Sequence, residues 1–359
     1  MYRYTLKRLL MIIPVIIGVS LIIFVAMDLA PGNAVDYLAP EDATEEDLKL
    51  LEQQLGLDQP LLIRYVKYMG GLVQGDLGVS YISNQDVMGT YMDRLPNTIA
   101  LAAASIVVAV GMSIPLGIIS AVHNGSIRDN LAMIFALLGL SMPNFWVGLL
   151  LIIYLSNGLG WFPSGGFNDG LLSLVLPAIT AGTGFMAVIT RTTRSSMLDV
   201  LNQDYLRTAR AKGVNEKTVV KKHALKNALI PIITISGTQL GALLGGSVLT
   251  ETVFSWPGVG RLIIDSVNSR DTPMVTGSII MTTMFQALGK GMMSLVMSLL
   301  RQLVFIIPLA WILGQLGGLG AVWFCYPAAE LLVAVIFVPV ALKTIKKSFD
   351  QERQETGVY

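Results

Sequence analysis

Apolar runs of membrane length recur along this chain, and they constrain it more than any single motif. A helix needs roughly 20 apolar residues to cross the hydrocarbon core of a bilayer. Residues 9–29 meet that length, interrupted by Pro14 and a late Asp28, with Lys7 and Arg8 just before them. The run is longer than the apolar stretch of a signal peptide and no small-x-small site follows it, so it reads as a span that is kept. Residues 99–122, 131–156, 171–189 and 228–249 are further candidates. After Pro273 apolar character resumes and continues almost to Leu342, which we divide into spans near 274–290, 291–313 and 321–342. An all-α polytopic membrane protein of about eight crossings is the expected class. Composition agrees: 53% of residues are hydrophobic and 14% charged, against about a quarter charged in soluble domains. A net charge of +1 sets up no field for a polyanion, so no nucleic-acid partner is expected. One cysteine, Cys325, and two histidines in separate loops, His123 and His223, point to neither a disulfide framework nor a metal site. No Ser/His/Asp arrangement suggests nucleophilic catalysis.

Orientation follows from the Lys/Arg bias of short loops. Arg3, Lys7 and Arg8 mark the N-terminus, and Lys343, Lys346 and Lys347 the C-terminus. Residues 191–227 carry Arg191, Arg194, Arg207, Arg210, Lys212, Lys217, Lys221, Lys222 and Lys226. An even number of crossings puts all three on the cytoplasmic side. Residues 31–97, with Glu41, Asp42, Glu45, Glu46, Asp47 and Glu52 close together, then lie outside. There Thr44-Glu-Glu-Asp47 reads as a helix start with Leu48, Leu51 and Leu55 on one face, stopped by Gly56 and Pro60. Tyr65, Tyr68, Met69 and Leu72 suggest a second amphipathic piece. These pieces either contact an external partner or form a cap on the membrane domain.

The segment from Asp204 to Asn227 carries the densest pattern. Two short helices broken at Gly213 are expected, because glycine permits a sharp turn there. Ala209 and Ala211 are small, Asn215 can cap the second helix, and Val219, Val220, Ala224 and Leu225 form an apolar stripe. Such a knob can dock in a groove on another protein. On composition alone it is equally a basic loop that obeys the charge bias. Gly237, Gly241 and Gly245 lie on one face of the 228–249 span, a spacing that lets helix backbones approach; helix packing is the first reading and a substrate passage the second. Asp28, Glu251, Asp265, Arg270 and Asp271 lie near outer span ends, where a charge is either a substrate contact or simply hydrated. Ser255-Trp-Pro-Gly258 reads as a turn, with Trp256 anchoring at the interface.

The loop resembles the EAA loop of ABC-transporter permeases, in the dipeptide/oligopeptide/nickel branch. The resemblance rests on Asp204-Tyr205, Arg207-Thr-Ala-Arg-Ala-Lys-Gly213 and His223-Ala-Leu-Lys-Asn-Ala-Leu-Ile-Pro231. Leu29-Ala-Pro-Gly32, Leu55-Gly-Leu-Asp58, Gly75-Asp-Leu-Gly78, Arg94-Leu-Pro-Asn97, Ser141-Met-Pro-Asn-Phe-Trp146, Leu159-Gly-Trp-Phe-Pro163 and Glu251-Thr-Val-Phe-Ser-Trp-Pro-Gly-Val-Gly260 follow the same branch in order. Together they cover residues 1 to about 285. Relative to the wider EAA pattern, Arg207 stands where a glutamate is usual, Thr208 where an alanine is, and Leu225-Lys226 in place of Leu-Pro. The resemblance implies six permease spans in an importer with a second permease, two ATP-binding subunits and an extracytoplasmic substrate-binding protein, in the cell's inner membrane. It implies that Asp204, Tyr205, Arg207, Ala209, Ala211, Gly213, His223 and Leu225 belong to the ATPase-coupling loop. The chain holds no Gly-x4-Gly-Lys-Ser/Thr phosphate loop, since Met292 follows Gly289-Lys290-Gly291. It is therefore expected to be no enzyme and to hold no cofactor, with ATP and Mg on the partner subunits.

The domains expected are residues 1–30 with the first span, the outer segment 31–97, a permease core 98–285 with its coupling loop 191–227, and a tail 286–359. That tail, over 286–347, is similar to the last two helices of the multidrug and toxic compound extrusion family. Phe285-Gln-Ala-Leu-Gly-Lys-Gly291, Ser298-Leu-Leu-Arg-Gln302, Ile307-Pro308-Leu309 and Gly320-Ala-Val-Trp323 carry the likeness. A composite chain is implied, in which the sixth permease span is a hybrid. A cation-coupled exporter fragment and a membrane scaffold without transport are the alternative functions.

Overall fold

The computed structural model describes residues 2–40, 42–288, 306–322, 324, 325 and 328. The chain divides into two compact units, residues 1–290 and 291–359. The described residues are helical apart from turns and one isolated bridge between Val79 and Asp86. Among them, Ile12–Leu29, Val87–Val122, Leu171–Leu201 and Glu216–Leu244 are long and apolar enough to cross a membrane. A bent pair, Ile127–Ser141 and Asn144–Gly158, makes a fifth crossing if it spans as one. The expected all-α polytopic class is the observed one. The spans expected at 291–313 and 321–342 lie largely outside the described residues.

The first helix, α1 (Tyr2–Leu29), leads to a short α2 (Val35–Leu38) and then to α3 (Glu45–Leu55) and α4 (Leu61–Val73). α3 begins where the sequence pattern places it. Thr44 accepts from the Asp47 amide and Asp47 accepts from the Thr44 amide, a reciprocal capping box, and Gly56 ends the helix at φ +68. α4 lies against α1. Tyr65 donates to the Ile17 carbonyl at 3.0 Å, and its hydroxyl is also 3.0 Å from Ser20 Oγ. The Phe24 ring meets those of Tyr65 and Tyr68 at 5.4 and 5.2 Å, and Arg64 pairs with Asp28 at 3.0 Å. This packing of α4 on α1 is what the cap reading of the segment expects.

α5 (Val87–Val122) starts well before the expected boundary near residue 98. Asp86 caps it by accepting from Gly89 N at 2.6 Å. Val87 and Tyr91 are buried with Leu77, Val259 and Met274. This packing recruits the polar stretch around Arg94-Leu-Pro-Asn97 into the helix, with Pro96 inside it. Its 36 residues make it roughly 54 Å long at 1.5 Å per residue, well beyond the hydrocarbon thickness. α6 (Ile127–Ser141) and α7 (Asn144–Leu151) meet at 97°. The bend falls at Met142-Pro143, where Met142 takes the extended backbone that a following proline imposes. α7 continues as a π-helical stretch, Ile152–Gly158.

α8 (Leu171–Leu201) is the hub and packs against α5, α6, α7 and α11 (Leu225–Gly246). Close approach comes from glycines. A Cβ on Gly117 of α5 would lie 2.5 Å from Thr193 Cβ, one on Gly182 2.7 Å from the Ser105 carbonyl, and one on Gly139 of α6 2.6 Å from the Thr183 carbonyl. Between α8 and α11 lie α9 (Asp204–Ala211), α10 (Glu216–Thr218) and a π-helical stretch, Val219–Ala224, that runs on into α11. α12 (Val248–Val253), α13 (Val259–Asn268) and α14 (Thr272–Leu288) complete the first unit. In the second unit α15 (Ile307–Val322) passes through the glycine-rich stretch that we expected to separate two spans, broken only at Gly318 with φ +67.

Candidate functional site

The loop between α8 and α11 folds as the two-helix knob its sequence suggests. Gly213 sits at φ +78, the left-handed region where glycine has no steric penalty. Its amide donates to the Arg210 carbonyl at 2.9 Å, and the Val214 amide to that of Ala209 at 3.2 Å, which closes α9. Asn215 Oδ1 accepts from Lys217 N at 2.9 Å and opens α10. Across the turn Arg210 clasps Glu216 with two hydrogen bonds, of 3.0 and 2.9 Å. Both ends are thus fixed and the glycine turn is held between them.

The knob has two sides. Leu206, Val219 and Ala224 are fully buried and Val220 nearly so. They form one apolar cluster with Ala109 and Ala121 of α5, Ile189 and Met197 of α8, and Ala228 and Ile232 of α11, with Ala209 and Leu225 against its edge. Tyr205 Oη accepts from Asn227 Nδ2 at 2.7 Å, tying α9 to α11. Asp204, Arg207, Ala211 and Gly213 face outward, as do Lys212, Lys217, Lys221 and Lys222; Arg207 and Asp204 pair at 3.4 Å on that face. His223 is half-buried. The predicted loop residues therefore separate into a half-buried set (Ala209, His223, Leu225), Tyr205, which is exposed but tied to α11 by its hydroxyl, and an exposed set (Asp204, Arg207, Ala211, Gly213). Sequence reasoning missed Leu206 and Asn227. Leu206 is the one large aliphatic side chain in α9, a signal that could have found it.

A second missed pair lies beside the knob. Asp129, in the first turn of α6, is 4% exposed. Arg194 of α8 grips it with both arms, Nε to Oδ1 at 2.9 Å and Nη2 to Oδ2 at 2.8 Å, and Nη2 also donates to Asn124 Oδ1 at 2.7 Å. Ser120 Oγ and Gly125 N donate to the same carboxylate, the latter at 2.9 Å.

The charges near the outer ends divide differently from either expectation. Glu251 is wholly buried and accepts from Thr98 Oγ1 at 2.9 Å, Ser247 Oγ at 2.8 Å and Arg261 N at 3.0 Å. Thr98 Oγ1 in turn accepts from Val259 N at 2.8 Å. Asp271 is 2% exposed and takes hydrogen bonds from Ser80 Oγ, Tyr81 N and Met274 N. Both carboxylates are buried and hydrogen-bonded within the chain. Asp28 pairs with Arg64, Arg270 donates to the Pro31 carbonyl at 2.9 Å, and Asp265 reaches Arg261 at 3.5 Å on the surface. Trp256 is not the interfacial anchor expected. It is fully buried, donates to the Asn97 carbonyl at 3.0 Å and meets the Phe167 ring edge-on. Among the described residues, a Cβ on Gly237 or Gly241 would meet no atom beyond its own stretch of helix within 4 Å, and the side-chain surroundings of Gly245 lie outside the described residues.

A helical membrane bundle with a basic, rigid knob anchored on its core has the construction of a transport permease. The chain belongs to the family described as "Binding-protein-dependent transport system inner membrane component", whose pattern matches residues 113–307, and the family's N-terminal component matches residues 1–102. It is 42% identical over 299 residues to the oligopeptide transport system permease protein AppB of Bacillus subtilis (strain 168), covering 80% of this chain and 95% of that protein. It is 44% identical over 281 residues to the glutathione transport system permease protein GsiC of Escherichia coli (strain K12), covering 78% of this chain and 92% of the other. The resemblance to peptide-branch permeases drawn from the loop and its companion motifs is borne out, and the chain is a multi-pass membrane permease. The family match runs on to residue 307, past the join we placed near 286. The exporter-like stretch 286–347 lies largely outside the described residues.

Proposed function

We propose that this chain is one of two permease subunits in an importer of peptides or closely related small solutes. The permeases named for oligopeptide and glutathione transport, at 42% and 44% identity, support that substrate class. The observation that carries the mechanism is the knob. Its apolar side is part of the bundle core and its other side is exposed and basic. A pair of ATP-binding subunits docks on Asp204, Arg207, Ala211 and Gly213. Tyr205, Ala209, His223 and Leu225 carry the resulting movement into α8 and α11. Closure of the ATPases on ATP then biases the bundle toward one access state, which requires that the partners bind the two states unequally.

In this reading ATP and Mg are held by the partners and this chain has no hydrolytic site of its own. Residues 191–227 and both termini lie in the cytoplasm, and residues 31–97 face an extracytoplasmic substrate-binding protein. Gly237, Gly241 and Gly245 face the second permease, which is consistent with the open space around the first two. The chain comprises the four regions 1–30, 31–97, 98–285 and 286–359, the last being an exporter-like addition.

The test is co-purification with the ATP-binding pair, followed by uptake of a labelled tripeptide into proteoliposomes. Gly213→Val should leave the chain in the membrane and abolish uptake. Uptake at the wild-type rate by that variant would refute the docking role, and failure to recover any ATP-binding partner would favour a scaffold.

A further inference from the structure

The apolar cluster under the knob draws on α5, α8, α9 and α11, and none of its described members comes from α6. α6 packs on both α5 and α8, and at its inner end polar contacts are added to that packing. Asp129 sits in the first turn of α6, and Arg194 reaches it from 65 residues further along the chain. Local capping does not require this arginine. Ser126 Oγ already accepts from the Asp129 amide and Asp129 already accepts from Gly125 N, which together satisfy the helix start. Arg194 adds a two-armed clasp from α8, and the same guanidinium holds Asn124 in the turn, while Ser120 fastens the end of α5. The geometry is fork to fork, which fixes orientation as well as distance.

A buried ion pair is poor evidence of stabilisation, since its desolvation cost is comparable to its attraction. Ionisable groups buried in a membrane domain mark function by default. Arg194 lies seven residues before the end of α8 at Leu201, about 10 Å along its axis at 1.5 Å per residue, and the knob begins just beyond that end. Whatever moves the knob moves the inner end of α8.

We propose that Arg194 and Asp129 are positioning residues that form a latch, making the α5–α6 turn travel with the coupling loop as one body. Through the latch, motion delivered to α8 and α11 also reaches α6 and, past the 97° bend, α7. This rests on the reading of 204–227 as the site of ATPase docking, but it is tested separately.

The experiment uses the full complex of permeases, ATP-binding pair and binding protein in proteoliposomes. Spin labels are placed at Ile127, which is 77% exposed, and at Lys222, an exposed residue of the knob outside the docking set, in a Cys325→Ser background. In the wild type the distance between them should be the same without nucleotide and with ATP trapped. In Arg194→Lys, and in the paired apolar replacement Asp129→Leu with Arg194→Met, it should differ between the two states. Tripeptide taken up per ATP hydrolysed should fall about tenfold, within the range by which residues on coupling networks act. The paired replacement leaves no unpaired buried charge, so it remains testable where Arg194→Lys does not accumulate. A wild-type distance that changes on ATP trapping overturns the latch. So does a fixed distance with an unaltered uptake-to-hydrolysis ratio in both variants. A failure of the docking reading shows itself differently, as normal uptake by Gly213→Val.

Discussion

Two of the buried carboxylates of this permease are held in opposite ways. Glu251, at the end that the proposed orientation places outside, is satisfied by two hydroxyls and a backbone amide. Asp129, at the end it places inside, is satisfied chiefly by a guanidinium. Both touch α5, at Thr98 and Ser120, which are separated by roughly 33 Å along the helix at 1.5 Å per residue. That is close to the thickness of the hydrocarbon core. Neutral donors on short side chains fix the outer knot within a tight corner of backbone. A long arginine arm ties the inner knot across two helices. The outer end is built as a fixed corner, the inner end as a joint between bodies that have to move together.

The comparison can be broken most sharply at the inner knot. Arg194→Gln leaves an uncompensated buried carboxylate and should cost about 3–5 kcal/mol, read as the thermal midpoint of the purified protein in detergent or nanodiscs. Glu251→Gln keeps the shape but replaces an acceptor oxygen with a donor facing other donors. It should cost less, about 1–3 kcal/mol by the same assay. A loss equal to that of Arg194→Gln would show that the outer carboxylate is as strained as the inner one.

Glycine positions sharpen the contrast further. Gly258→Ala would put a Cβ 2.5 Å from Glu251 Oε2 and 2.6 Å from Thr98 Oγ1, and should cost about 1–3 kcal/mol through overpacking. Gly241→Ala meets open space and should change the stability of the isolated chain by less than about 0.5 kcal/mol. A larger effect appearing only in the assembled complex would place that face against a partner.

The smallest effect concerns a carboxylate with no burial at all. Hydrogen bonds from the Thr44 hydroxyl and amide hold Asp47 below the ordinary aspartate range. A group whose pKa is depressed on folding stabilises fully above its unfolded value and loses that contribution as pH falls through the native one. The start of α3 should therefore fray only in acid, below the ordinary aspartate titration. Amide exchange at Asp47 and Leu48 would show it, and fraying already at neutral pH would deny the capping box.

What could be read from the sequence was local. Thr44 and Asp47 lie three residues apart, and Gly213 and Asn215 set their own turn, so the cap and the knob were visible as patterns. The spans were visible as hydropathy. Partners far apart in the chain were not. Trp256 reads as an interface anchor until Asn97 and Phe167 close over it. Glu251 reads as a boundary charge until Thr98 and Ser247 surround it. Arg94-Leu-Pro-Asn97 reads as a boundary because proline usually ends a helix, but the packing of Val87 and Tyr91 on α14 carries α5 outward beyond it. Glycines that do bring helices of this chain together, such as Gly117, Gly139 and Gly182, follow no four-residue repeat. Gly237 and Gly241, which do, meet open space.

The π-helical stretch at Val219–Ala224 has a mechanical consequence. It passes into α11 without a break, while α8 and α9 are separated by the turn at Asn202-Gln203. The knob is thus continuous in backbone with one transmembrane helix and joined to the other by packing, since Leu206 shares one apolar cluster with Ile189 and Met197 of α8. A load on the knob enters α11 along the main chain and α8 through side chains.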